Sequence, residues 1–332
     1  MDKHAWNPAE LLQLSGGYWS ACALHAGVKL NLFSHAGSVP ELAQATASDM
    51  RGLEMLLNAL TALGLMEKVG DRYAPTTFAA EYLSRSSPRY LGYIIMHHHH
   101  LMAGWSRLDE SVRSGAPIHG RISHSGDDSE RESFEMGMFN LAMQIAPRIV
   151  SNVDLQGRRN LLDLGGGPGS YAIQFCQANP QLTATVYDLP ATRRFAEKTI
   201  ASFGLSDRIT FREGDFISDD VPGGFDVAWL SHILHGEGPE GCAVTLGRAA
   251  AALEPGGMLM VQEFILDESM AAPLFPALFS LNMLLGTPQG RSYSQRQLEE
   301  MMAAAGVGSI RRLALDLPNG AGVLAGIVEH RS

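Results

Sequence analysis

The stretch Leu161-Leu162-Asp163-Leu164-Gly165-Gly166-Gly167-Pro168-Gly169-Ser170 decides how this chain folds. Its apolar start reads as a buried strand, its glycines as a tight turn, and the residues from Tyr171 to Gln177 as the helix that follows. Glycine lets the backbone approach a ligand where a Cβ would clash. The helix N-terminus behind the turn offers N–H groups to the same ligand. A second strand, Thr183-Ala184-Thr185-Val186-Tyr187, ends in Asp188, where a carboxylate is placed to accept hydrogen bonds from two ribose hydroxyls. These segments predict a nucleoside-binding α/β domain.

Two ligand classes use such a turn. A dinucleotide site asks for G-x-G-x-x-G/A with a pyrophosphate over the helix start. Counted from Gly165, the third small position is Ser170, a poor fit to that pattern. The downstream segments separate the classes better. Phe211-Arg212-Glu213-Gly214-Asp215-Phe216 puts Asp215 at the end of a third strand, in reach of an adenine amino group beside Phe216. Residues 225–230 form a fourth strand, and 253–262 a turn and a fifth. This series resembles the class I S-adenosylmethionine (SAM)-dependent methyltransferases, with an NAD-binding oxidoreductase as the alternative. The resemblance implies that Gly165 and Gly167 approach the methionine moiety and that Asp188 takes the ribose. Leu189 would pack on the adenine, and Asp215 and Phe216 would read and sandwich it. Ser231 stands where the family often has a Lys or Arg touching the cofactor.

Composition fits an enzyme of two domains: 332 residues, 45% of them apolar. A net charge of −10 argues against nucleic acid and anionic membranes as partners. The N-terminal residues lack the pattern of a signal peptide, and the sequence holds no run long enough to span a bilayer. Cys22, Cys176 and Cys242 lie far apart without metal-ligand spacing, so buried thiols in a reducing cytoplasm are expected.

The N-terminal half reads as mostly helical. Apolar residues recur at helical spacing from Ala9 to Asn31. Ser38 and Glu41 have capping-box spacing, and Leu53, Leu56, Leu57 and Leu60 form one apolar face between Asp49 and Leu63, closed by Gly64. Met66–Val69 and Arg72–Pro75 flank Gly70-Asp71 as a short hairpin, which completes a winged helix. The second helix carries Arg51 against Asp49 and Glu54, too little positive charge for a DNA reader. A scaffold for dimerisation and for one wall of a substrate pocket is the better reading.

The order is winged helix, Trp105-Ser106-Arg107-Leu108, a methionine-rich helix, then the nucleoside domain. This resembles the small-molecule O-methyltransferases of the caffeic acid, hydroxyneurosporene and acetylserotonin type. The expected fold is therefore α/β, a Rossmann-like SAM-methyltransferase sheet preceded by a mostly helical winged-helix dimerisation domain. The expected boundaries are 1–115 for dimerisation, 116–150 for linking helices that line the pocket, and 151–332 for catalysis. The resemblance further implies a homodimer, a small-molecule acceptor and S-adenosyl-L-homocysteine as product.

Methyl transfer is an in-line displacement, chiefly a positioning task. A phenol is mostly protonated at neutral pH, its pKa being about 10, so a general base helps. His235, after the fourth strand, matches the family pattern Leu-His-x-Trp at Leu234-His235, and that histidine is the family's base. Gly236-Glu237-Gly238-Pro239-Glu240 departs from the acidic, tryptophan-bearing run that usually follows. Glu263 corresponds to the Glu that holds the base, whereas Ser292 falls where the family has a second Glu and supplies no charge. His232 reads as structural. The incomplete acid–base set keeps two alternatives open: S- or C-methylation driven by positioning, and a SAM-binding member that no longer methylates. An apolar, methionine-rich pocket of Met136, Met138, Met143, Phe279 and Met283 favours a flat aromatic acceptor. His97 and His100, which share a helix face within the run His97–His100, are candidate pocket residues. The run lacks nearby carboxylate or thiol ligands, so no metal is expected there.

Overall fold

The computed structural model describes residues 5–124 and 126–329. The chain divides into two compact units, Met1–Leu101 and Met102–Ser332.

In the first unit the apolar run after Ala9 forms two helices, Pro8–Gly16 and Tyr18–Lys29, rather than one. The break falls at Gly16-Gly17, where two residues of poor helix propensity adjoin. Cys22 is exposed on the second of these helices, contrary to the expectation of a buried thiol. The helix Val39–Thr46 starts as its capping box predicts, with the Ser38 N–H donating to Glu41 Oε2 at 2.7 Å. Asp49 caps the next helix, Met50–Ala62, by accepting from the Gly52 N–H, and that helix buries Leu53, Leu57 and Leu60. Its C-cap is Leu63, and Gly64 follows it at φ +74°. Strands β1 (Gly37–Ser38), β2 (Met66–Val69) and β3 (Arg72–Pro75) pair in the order β1-β3-β2, all antiparallel. The winged helix is thus present, with its own core around Leu32, Phe33, Leu57 and Tyr73.

Among the described residues, the second unit holds eight further strands: β4 (Asn160–Leu164), β5 (Thr183–Asp188), β6 (Ile209–Glu213), β7 (Phe225–Ser231), β8 (Leu253–Leu266), β9 (Tyr293–Ser294), β10 (Val307–Arg312) and β11 (Ala321–Val328). The main sheet runs β10-β11-β8-β7-β4-β5-β6, with β9 added on β8. Pairs from β6 through β8 are parallel, and β11 lies antiparallel between β8 and β10. Strand residues alternate between two cores, as period-2 geometry demands. Leu161, Val227 and Trp229 enter one core; Leu162, Leu164, Ala228 and Leu230 enter the other. Asp163 therefore shares a face with the helix Ser170–Ala178 and accepts from its Ala172 N–H at 3.0 Å. Chain order reverses at β4, which lies between β5 and β7, and open α/β sheets bind ligands outside the strand ends at such a point. Among the described residues, no helix is long and apolar enough to cross a membrane.

Candidate active site

The turn after β4 has the left-handed backbone that glycine tolerates best: φ is +64° at Gly165, +54° at Gly167 and +78° at Gly169. A Cβ on Gly165 would lie 2.7 Å from Ile233 Cγ2 and 3.2 Å from Phe216 Cε1. The turn therefore brings Phe216 from beyond β6 and Ile233 from beyond β7 against the same glycine. Asp188, at the end of β5, accepts from the Gly167 N–H through Oδ2 and from the Leu189 N–H through Oδ1, both at 2.7 Å. Burial raises its pKa, and these N–H donors partly oppose the rise. Strand β6 ends at Glu213, so Asp215 lies in the turn beyond it rather than at the strand end. There its Oδ1 accepts from the Ile217 N–H at 2.8 Å, which folds the loop that carries Phe216. Ser231 donates to Gln262 Oε1 at 3.1 Å and so ties the end of β7 to β8.

Around β7 and β8 a second constellation forms. His235 lies in the single turn Leu234–Gly236, and its Nδ1 is 2.8 Å from Glu263 Oε2. Its main-chain N–H donates to Glu263 Oε1 at 3.2 Å, so the one carboxylate fixes both backbone and ring. Glu263 is only 2% exposed. Burial by itself raises its pKa, but His235 and His232 outweigh that and hold it well below the usual carboxylate range. An ionised carboxylate only accepts hydrogen bonds, so Nδ1 of a neutral His235 carries the proton and Nε2 keeps a lone pair. His235 retains 13% side-chain exposure, enough to leave an approach to the ring.

His232, read from the sequence as structural, also takes part. Its Nδ1 lies 3.5 Å from Glu263 Oε2, its ring packs on Phe264 at 4.1 Å, and its φ of +55° is unusual for a residue with a side chain. The ligating atoms of His232, His235 and Glu263 all lie within 4.8 Å of one another. Ser292 is buried and donates to the Pro276 carbonyl, consistent with its lack of charge. The altered loop is secured differently: Arg121 donates to the Gly236 carbonyl and to Glu237, each at 2.6 Å. The Tyr293 hydroxyl donates to the Glu237 carbonyl, also at 2.6 Å.

Of the expected pocket residues, Phe279 comes edge-on to His235 with ring centroids 4.7 Å apart. Phe264 and Phe275, not singled out from the sequence, extend this aromatic group: each lies within 6.0 Å of Phe279. Met283 is half-buried on the same helix as Phe279, Leu274–Gly286. Met136, Met138 and Met143 are half-buried along Asp128–Val150, and the Met143 sulfur accepts from Gln174 at 3.7 Å. His97 and His100 belong to the first unit, on the helix Gly92–Trp105. Burial, with His98 and His100 adding to it, pushes the His97 pKa down to about 3, so this ring is neutral at physiological pH.

Glu135 escaped the sequence reading. It is 2% exposed and accepts from the Thr192 hydroxyl at 3.0 Å, beside Asp188 and Gly167. Glu130 and Glu132 precede it on the same helix, and nothing in the local sequence sets Glu135 apart from them.

Comparison with known proteins agrees with this architecture. Residues 105–308 match the family model of the O-methyltransferase domain, and residues 12–85 match that of the O-methyltransferase dimerisation domain. The 3-hydroxy-5-methyl-1-naphthoate 3-O-methyltransferase of Streptomyces sahachiroi is 35% identical over 96% of this chain and 95% of its own length. TcmO, the tetracenomycin polyketide synthesis 8-O-methyl transferase of Streptomyces glaucescens, is 31% identical over 95% of this chain and 96% of its own. The solved structure of PigF with SAH superposes with a TM-score of 0.86 at 27% identity, covering 97% of this chain and all of that one. With matches that span both units, the chain belongs to the O-methyltransferase family.

Proposed function

We propose that this protein is a SAM-dependent methyltransferase acting on a hydroxyl of a small aromatic molecule, with His235 as general base. The observation that carries the reading is the pair formed by His235 Nδ1 and a buried, ionised Glu263 at 2.8 Å. That pair leaves Nε2 available to take the acceptor's proton. Glu263 then faces the imidazolium and stabilises it, as an orienting carboxylate does in other proton-transfer sites.

SAM, when bound, supplies a methyl group on a positive sulfur and leaves as the neutral thioether S-adenosylhomocysteine. The residues present fit it. The left-handed turn at Gly165–Gly167 leaves open the space that a Cβ would fill, Asp188 offers acceptors to a ribose, and Phe216 beside Gly165 offers a face to an adenine. Leu189, Asp215 and Ser231 border the same site in this reading. Phe264, Phe275 and Phe279 form an apolar wall beside the base, suited to a flat ring. Met136, Met138, Met143 and Met283 are assigned to the rest of the lining, and the hydroxynaphthoate named for one relative is a flat aromatic acceptor of this kind. Leu12, Leu14 and Trp19, exposed within the matched dimerisation region, support a homodimer.

The deciding experiment is product capture with methyl-labelled SAM, offering phenols, hydroquinones and thiols together. Label on oxygen, lost in His235→Ala, is the expected result. Label on sulfur or carbon, retained in that variant, would assign catalysis to positioning without an essential base. Tight SAM binding with no transfer to any acceptor, a host metabolite extract included, would favour a member that no longer methylates.

A further inference from the structure

Three carboxyl groups from three separate elements converge on the glycine turn. Glu135 comes from the helix Asp128–Val150, Asp163 from β4 and Asp188 from β5. Asp188 and Glu135 share the Thr192 hydroxyl, which lies 3.0 Å from Glu135 Oε1 and 3.5 Å from Asp188 Oδ1. Oε2 of Glu135 lies 3.5 Å from where a Cβ on Gly167 would sit, so it reaches the same residue whose N–H binds Asp188. Asp163 is 1% exposed, its Oδ1 has no hydrogen-bond partner among the described residues, and that atom lies 2.9 Å from where a Cβ on Gly166 would sit. Buried polar atoms without partners are rare in folded proteins and point to a missing donor.

Resting on the assignment of Asp188 to the ribose, we propose that Glu135 is a second ribose-binding residue, so that two carboxyl groups rather than one clasp the cofactor's hydroxyls. The contact is supplied by the helix ahead of the sheet, outside the glycine turn and the strand ends. Proximity to Asp188 is the reason for choosing the ribose: Glu135 and Asp188 meet through one hydroxyl and one glycine. The groups that face Glu135 are Thr192, Asp188 and Arg131, and among them burial and then the Asp188 charge prevail, pushing its carboxyl up to about 8. A protonated carboxyl has both a donor and an acceptor, which suits one hydroxyl of a vicinal pair while Asp188 takes the other.

The test is a cycle between protein and ligand, measured calorimetrically with S-adenosylhomocysteine and its 2′-deoxy and 3′-deoxy analogues. Glu135→Ala should weaken binding of the parent ligand about 3- to 10-fold, the worth of one hydrogen bond between uncharged partners. The same substitution should cost little against whichever deoxy analogue lacks the hydroxyl that Glu135 holds. Equal losses with all three ligands, or no loss with any, would overturn the proposal. Glu135→Leu fills the space without a polar group and repeats the cycle if the alanine variant folds poorly. Asp188→Asn separates the two readings: if it leaves affinity for all three ligands intact, the ribose assignment itself fails, whereas its loss beside an indifferent Glu135→Ala condemns only the role of Glu135.

Discussion

Replacing Glu263 with Gln tests the proposed proton transfer most directly. The carboxylate accepts from the ring of His235 at 2.8 Å and from its main-chain N–H at 3.2 Å, inside a site where Glu263 is 2% exposed. Gln keeps the shape and one acceptor but removes the charge that faces the imidazolium. Hydrogen bonds to charged groups contribute about 1.5–3 kcal/mol, roughly twice the neutral case. If that margin appears only once the ring is protonated, turnover should fall about 10- to 100-fold, at about 1.4 kcal/mol per decade. His235→Ala, which removes the base outright, should lose about 10²-fold or more. The assay is methyl transfer to a series of ring-substituted phenols of graded acidity, at saturating SAM. A phenol already ionised at the assay pH has no proton to give up, so both penalties should shrink toward unity for the most acidic acceptors. Penalties that stay constant across the series, with SAM affinity unchanged, would refute the base assignment and leave the pair a structural role.

Three further outcomes follow from the geometry. Gly165→Ala places a Cβ 2.7 Å from Ile233 Cγ2 in a residue at φ +64°, so it should lower thermal stability by about 1–2 kcal/mol and weaken SAM binding; wild-type affinity in titration calorimetry would remove this turn from the cofactor site. Glu135, raised from 4.5 to about 8, and Asp163, raised from 3.8 to about 7, hold protons in the folded state that the unfolded chain gives up. Their contribution is full below their ordinary pKa values and is lost as pH rises toward 8, so the melting temperature of the cofactor-free protein should fall across that window and Glu135→Leu should flatten the fall. A melting temperature that rises with pH over the same range would contradict these buried acids. Treatment with a chelator should leave turnover unchanged, because the proposed mechanism asks nothing of a metal; loss of activity that a divalent ion restores would reassign His232, His235 and Glu263 as its ligands.

Much of the fold was legible because it rests on short-range signals. The apolar run 161–164 with its glycines, the Ser38–Glu41 capping box and the Gly70-Asp71 turn each act through neighbours a few residues apart. The same local reasoning failed where propensity was finely balanced, as at Gly16-Gly17, and at the end of β6, where Asp215 folds its own turn. His235 and Glu263 were legible through family resemblance, but their separation of 28 residues says nothing of a 2.8 Å contact.

By itself, the sequence determined the strand, glycine turn and helix at 161–177, the strand that ends in Asp188, and the capped helix and hairpin of the winged helix. Side-chain period and backbone stereochemistry are local, and they read directly from residue order. Tertiary structure alone decided that His232 shares Glu263 with His235, that Phe264 and Phe275 join Phe279, that Arg121 holds the loop at Gly236, and that Glu135 meets Asp188 through Thr192. Each of these depends on which strands pair and which helix covers them. The burial that makes Glu135 and Asp163 weak acids also arises only when distant segments exclude water together.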